Sequence, residues 1–375
     1  MRDLMASLTR LVLLRLRHDE RGVAGVLVAL LIGGGVLTGM GALVIDVGQI
    51  YQERAELQNG ADAAALGVAK SCALGACTPG VAGQLADANA SSLTGGTEGV
   101  QLVCGSGSLG SCPASTGSIT DCPPPPPAGT NFADVYTTTQ IASGSTLLPP
   151  AFATTLLGNS SYQGTTVRAC AQAEWGAPSA ATADALTISA CEWDQATQQG
   201  TSFPPAPPYP QNAVPAPSFD QVLTQNPGPG NDIGCATEPA GADGPGTFGW
   251  AEDATGNCTL PVSGPSFPAG TEPSVSTSCQ LVLQSARQDE IPILVPVYVS
   301  SNTASGTYVL QGFADFVVTG YNLLPGFFAA DWLNPANSCQ GTDYCLTGYF
   351  VRGVIPATGS LAGTDLGASV IDLTG

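Results

Sequence analysis

The sequence predicts an α+β protein: a long N-terminal transmembrane helix over about residues 22–71, then a disulfide-bonded, mainly β, loop-rich extracytoplasmic region. Three observations carry this expectation. Residues 22–45 are uncharged and mostly apolar. Residues 46–71 continue in helical period. All twelve cysteines lie beyond the apolar stretch, among Gly- and Pro-rich connections and short β-branched runs.

The apolar stretch comes first. At about 1.5 Å rise per residue it spans about 36 Å, enough to cross a hydrocarbon core of about 30 Å with some tilt. In lipid the backbone groups must be bonded within the segment, which makes it helical despite Gly33, Gly34 and Gly35. Gly35-Val-Leu-Thr-Gly39 has the small-xxx-small spacing that lets two membrane helices approach closely. Of the ten Lys and Arg, five (Arg2, Arg10, Arg15, Arg17, Arg21) stand before the span. The positive-inside rule therefore places residues 1–21, a basic stub, in the cytoplasm and residues 46–375 outside. Two alternatives concern processing. A signal peptide could end at the small-x-small site Gly39-Met-Gly41. A cytoplasmic cut could fall at Arg21/Gly22, in the manner of prepilin peptidases, but the fifth position after that glycine is Leu27 where such leaders usually carry Glu.

Residues 46–71 form the helical extension. Ile50, Leu57, Ala61, Ala64, Ala65 and Val68 recur at helical spacing, with Glu53, Arg54, Glu56, Gln58 and Asp62 on the other positions. Gly75 and Pro79 end the pattern. Asp46 stands where the apolar run stops; it marks the interface, or it partners a positive group on a neighbouring subunit or at another helix terminus, since a carboxylate near lipid is costly unless paired.

Beyond residue 45 lie 26 of the 29 acidic residues (Asp3, Asp19 and Glu20 precede it) and five of the ten basic ones, a net charge of −21. Such a surface repels nucleic acid and anionic headgroups. An even cysteine count on the exported side reads as disulfides. Short spacing suggests Cys72–Cys77, Cys104–Cys112 and Cys339–Cys345; for the others several pairings are open, with Cys170–Cys191 and Cys235–Cys258 favoured. Residues 72–202 form a Cys-containing β/loop region. Within it five prolines follow Cys122, and residues 167–175 and 185–193 read as half-buried strands. Residues 203–230 hold nine prolines and read as an extended linker or loop. Residues 231–375 are the C-terminal β-rich region. Residues 291–299 suggest a strand that Pro292 and Pro296 assign to a sheet edge. Residues 308–319 suggest its hairpin partner, with Tyr308, Leu310, Ala314, Phe316 and Val318 on one face. Residues 345–354 suggest a third strand.

The chemistry is bounded by what is missing. His18 is the single histidine and lies before the span, which removes Ser–His and Cys–His catalysis from the outside portion. No Cys-x-x-Cys and no outside histidine supports a zinc site. Gly105-Ser-Gly-Ser-Leu-Gly110 matches G-x-G-x-x-G but lies between two cysteines, without a strand before it and a helix after it. The adjacent pairs Glu252-Asp253 and Asp289-Glu290 would face opposite ways on a strand. No catalytic residue, metal ligand or cofactor site is expected.

The segment running from Arg21 through Asp46, Gly48 and Tyr51 to Leu57, Gln58, Asn59, Asp62, Ala63, Ala64, Ala65 and Leu66 resembles the N-terminal region of the TadE/TadG-like proteins of the bacterial tight-adherence (Flp) pilus system. The resemblance covers about fifty residues. It implies a membrane-anchored, non-catalytic pilus or secretion component whose N-terminal helix meets other pilus or envelope subunits, membrane lipid, or a second copy of itself. Gly35, Gly39, Asp46, Gly48, Tyr51, Leu57, Gln58, Asn59 and Asp62 are then the packing and motif residues. Some relatives carry a von Willebrand factor A domain with Asp-x-Ser-x-Ser; this chain has no such motif. A surface-tethered binding module or adhesin is the alternative, with Phe327, Phe328 and Trp332 as candidate contact rings.

Overall fold

The computed structural model describes residues 2–89, 98–118, 120–152, 163–209, 213–225, 248–253, 255–270, 275–302, 306–336, 339, 344–356 and 361–374. They form one long N-terminal helix and a mostly β remainder, an α+β arrangement. The chain divides into two compact units. The first comprises residues 1–61, 83–101 and 136–169; the second comprises residues 62–82, 102–135 and 170–375.

The first helix, α1 (Arg2–Ala73), is 72 residues long. It begins well before residue 22, because residues 2–21 contain Leu, Arg and Ala and no Gly or Pro to interrupt them. Gly75, at φ +84°, takes the left-handed conformation that closes a helix. α1 is the one helix among the described residues long and apolar enough to cross a membrane. Val26, Leu30, Ile32, Met40, Leu43 and Val44 are each more than half exposed. In the first unit, Leu57 is fully buried in a cluster with Leu148, Val167 and Ala169, and Ile50 packs on it. The Thr137 hydroxyl donates to the Leu57 carbonyl at 3.0 Å. A short helix, α2 (Val81–Ala88), completes the helical part of the N-terminal half.

Three strands follow: β1 (Glu98–Gly105), β2 (Asn131–Thr139) and β3 (Arg168–Gly176). Then come β4 (Ala181–Asp184), β5 (Leu186–Ser189), α3 (Ala190–Thr197), β6 (Gln221–Thr224), β7 (Phe248–Trp250), β8 (Thr259–Val262) and β9 (Ser266–Pro268). The C-terminal part contains α4 (Thr277–Asp289), β10 (Ile293–Asn302), β11 (Thr307–Leu324), β12 (Phe327–Ala329), β13 (Cys345–Val351), β14 (Gly353–Val354), β15 (Thr364–Asp365) and β16 (Ala368–Leu373).

The second unit holds the sheets. One runs β1-β2-β3-β16-β14, entered by the parts of its first three strands that belong to this unit. A larger one follows the path β6-β13-β11-β10-β5-β7, with β9, β12 and β15 also on β11, and β4 pairs with β8. The β10–β11 hairpin is antiparallel from Ile293↔Phe316 to Asn302↔Thr307. The expected half-buried face of β11 is exceeded: residues 312–321 are buried on both faces, because β11 is a central strand.

Three readings of the sequence are corrected. β10 is interior, between β11 and β5, rather than at an edge. β5 meets it only at Val297 and Tyr298, so neither proline occupies a rung of that ladder, and the Thr187 hydroxyl donates to the Pro296 carbonyl at 2.7 Å. Residues 185–193 are a strand only as far as Ser189, which then caps α3 by accepting the Glu192 N–H. The Pro-rich stretch is not wholly linker: Leu223 of β6 is fully buried and β6 pairs with β13 from Cys345↔Thr224 to Gly348↔Gln221.

The core of this unit is built on Tyr298, Phe313, Phe316, Phe350, Leu186 and Ile188, each almost or wholly removed from water. Each such side chain contributes about 1.5–3 kcal/mol. α4 turns Cys279, Leu283 and Ala286 into it. The Trp193 indole of α3 donates to the Leu366 carbonyl at 2.9 Å. Disulfides join Cys72–Cys77, Cys104–Cys112, Cys122–Cys170, Cys258–Cys279 and Cys339–Cys345. Cys170 thus pairs with Cys122 instead of Cys191, and Cys258 with Cys279 instead of Cys235, because the sheet and α4 bring distant segments together. Cys191 is also disulfide-bonded; Cys235 lies outside the described residues.

Candidate functional site

The helical segment singled out in the sequence shows two kinds of surface. Its apolar positions turn inward: Leu57, Ala61, Ala64, Ala65 and Val68 are wholly buried. Several motif positions remain outside. Tyr51 is 71% exposed, and Gly48 and Asn59 are exposed. A β-carbon at Gly39, Gly41 or Gly48 would meet nothing within 4 Å, which leaves that backbone open to a neighbour. Gly35 lies within α1. Gln58 and Asp62 are half-buried.

Asp46 has a specific place in the first unit. Its Oδ1 accepts the backbone N–H groups of Ala151 at 2.7 Å and Phe152 at 3.0 Å. A carboxylate bonded to two N–H groups is charge-assisted and satisfied where the apolar run ends. This partner, two backbone N–H groups of a loop in the same chain, is neither of the two roles considered for Asp46 from the sequence.

Sequence reading missed a buried carboxyl cluster about two turns further on. Glu53 is 1% exposed and Glu98, at the start of β1, is 6% exposed. Among the described residues, Glu53 Oε1, Glu56 Oε2 and Glu98 Oε2 are buried with no hydrogen-bond partner. Asp87 of α2 accepts the Glu98 backbone N–H at 2.9 Å. Burial pushes the Glu98 carboxyl up to about 8, helped by the charges of Glu53, Glu56 and Asp87. Burial also raises Glu53, against a hydrogen bond from Thr139. A signal was present: Glu53 follows Ile50 by three and precedes Leu57 by four, so it lies on the buried stripe.

Ligand-type atoms converge within 4.8 Å, among the described residues, at Cys104, Cys112 and Asp134. The two cysteines are bridged, so their sulfurs are not thiolates and offer no metal site. Contrary to the sequence reading, a strand does precede the G-x-G-x-x-G match, β1 ending at Gly105, but Gly107–Leu109 within it is a 3-10 turn and not the helix a phosphate cradle needs. Of the aromatic rings considered for binding, Phe328 is 58% exposed. Phe327 stacks on Tyr321 at 4.4 Å, and Trp332 packs on the cluster of Val317, Leu333, Tyr349 and Val351. Glu252-Asp253 is used locally: Asp253 accepts from the Cys258 backbone and the Ser278 hydroxyl.

Residues 22–71 match the family described as "Putative Flp pilus-assembly TadE/G-like". The match begins at the apolar stretch and ends at the close of α1. No curated protein and no solved structure matches the chain.

Proposed function

With a TadE/G-like segment at residues 22–71 as the premise, we propose that this protein is a membrane-anchored, non-catalytic component of a Tad/Flp-type pilus or secretion apparatus. α1 anchors it through residues 22–45, with the N-terminus cytoplasmic and the bulk of the chain extracytoplasmic. The observation that carries the reading is the exposed apolar face of α1 between Val26 and Tyr51, together with open backbone at Gly39, Gly41 and Gly48. Apolar surface of that extent belongs in lipid or against another helix. Tyr51 and Asn59 then meet other pilus or envelope subunits, or a second copy of the chain.

Deleting the gene should abolish piliation or adhesion while leaving unrelated envelope proteins in place. Photo-crosslinking from Tyr51 should capture a pilus-system subunit, and protease added to spheroplasts should digest residues beyond the span. Normal piliation in the deletion strain would refute the assignment.

A further inference from the structure

The second unit contains a cleft of about 790 Å³, the size of a site for a drug-like molecule or a short peptide. Its lining is largely apolar: Phe203, the prolines of the strip from Pro204 to Pro208, Ile291, Pro292, Val354 and Ile355. Its polar groups are few and of unusual kind. Lys70 and Arg352 both line it. Only five Lys and Arg occur beyond residue 45, against 26 acids, so two of the five meet at one cleft. Lys70 is exposed and, among the described residues, its ammonium forms no ion pair. Arg352 is held in place by the Phe203 ring, 4.6 Å from its guanidinium carbon, and by long contacts to Asp365 at 3.5 Å and the Gly200 carbonyl at 3.4 Å.

Two further features describe the occupant. β14 is the last strand of its sheet, and it lines the cleft. The N–H groups of Gly353 and Ile355 bond to the carbonyls of Gly367 and Ser369, on the β16 side. Strand alternation turns the N–H and C=O of Val354, between them, to the opposite side. Among the described residues that is an open edge, able to take another extended segment. The second feature is Asp315, 4% exposed, which closes the cleft against Gly353. Burial, with the nearby Asp184 charge, pushes its carboxyl up to about 7, so in its neutral form it can donate to a carbonyl.

We propose that this cleft docks an extended peptide segment of a partner protein in which a carboxylate side chain stands between apolar residues. The peptide backbone adds to β14, its carboxylate meets Lys70 and Arg352, and its apolar side chains lie on the proline strip. Charge complementarity selects this occupant: a chain this acidic repels polyanions at long range, but two cations at an apolar cleft, Arg352 held in place and Lys70 exposed, retain a single carboxylate. The site concerns the second unit alone and stands apart from the helix-anchored reading above.

Titration calorimetry of the full chain in detergent tests it, with end-blocked pentapeptides Ser-Val-Glu-Val-Ser, the same peptide with Gln for Glu, and hexanoate as probes. The Glu peptide should bind at least about tenfold more tightly than the Gln peptide, as expected for charge-assisted hydrogen bonds. Lys70→Gln, at an exposed position that leaves the fold intact, should bring the Glu peptide down to the Gln level without changing the latter; Arg352→Gln should do the same or more. Equal binding of the two peptides, no heat with either, or no effect of Lys70→Gln would overturn the proposal. Hexanoate binding as tightly as the Glu peptide would replace it with a small-carboxylate site. Self-association abolished by Lys70→Gln would replace the partner with a second copy of this chain.

Discussion

The Glu98 carboxylate lies against the α1 backbone at Gly60: a β-carbon built on Gly60 would stand 2.0 Å from Glu98 Oε2 and 3.4 Å from the Ala86 α-carbon. A glycine that weakens the helix by about 1 kcal/mol relative to alanine is therefore the residue that admits a buried acid.

Gly60→Ala should destabilise the protein by about 1–2 kcal/mol, because overpacking of about 1–3 kcal/mol outweighs the gain in helix propensity. In a Glu98→Ala background the same change should become stabilising. A double-mutant cycle from urea unfolding reads the coupling; additivity would show that the two positions do not meet.

The pH dependence follows from the direction of the shifts. Glu98 is raised to about 8, Asp315 to about 7, and Asp134 and Asp184 to about 6, each chiefly by burial. A carboxyl whose folded-state value lies above its unfolded value binds protons more tightly in the fold. Its favourable contribution is complete below about 4 and is lost as pH rises toward the folded value. Unfolding midpoints should fall between pH 5 and pH 8, and Glu98→Gln should flatten the upper end of that slope. A midpoint rising over this range would contradict the burial of these acids.

Cys122–Cys170 spans 48 residues of sequence and Cys72–Cys77 spans five. Loop-closure entropy gives about 4 kcal/mol for the first and about 2 kcal/mol for the second. Paired serine substitutions should show that order in denaturant unfolding, with residual compactness of the unfolded chain reducing both figures.

Leu57→Ala and Tyr51→Ala separate folding from assembly. Leu57 is wholly buried, so its truncation should cost about 2–5 kcal/mol. Tyr51 is 71% exposed, so its truncation should leave the unfolding midpoint within about 0.5 kcal/mol of wild type while lowering crosslinking to a pilus-system subunit. Loss of stability in Tyr51→Ala would assign that ring to the fold.

Asp46→Ala removes the acceptor for the Ala151 and Phe152 N–H groups. It should loosen that loop, seen as faster amide exchange at those two positions, while membrane insertion is unchanged. Unaltered exchange would mean the carboxylate does not hold the loop.

What was legible in the sequence depended on range. The period of Ile50, Leu57, Ala61, Ala64 and Val68 and the alternation of residues 308–319 are local patterns, and they appear as α1 and β11. Ser189-Ala-Cys-Glu192 is a capping signature, and it ends β5 inside what read as one strand. The buried acids were harder to see. Glu53 is placed by the helical period, but Glu98, Asp87 and Thr139 come from β1, α2 and β2 respectively, and nothing local joins them.

By itself the sequence determined the long apolar helix, the oxidised character of the cysteines and the family that residues 22–71 match. Each depends on composition or on spacing within a few turns, where neighbours along the chain are also neighbours in space. Only the tertiary structure decided that β10 is an interior strand, that Cys170 joins Cys122, that Glu98 lies against Gly60, and that Lys70 and Arg352 line one cleft. Those depend on contacts between residues far apart in sequence, which side-chain burial selects and which no local pattern encodes.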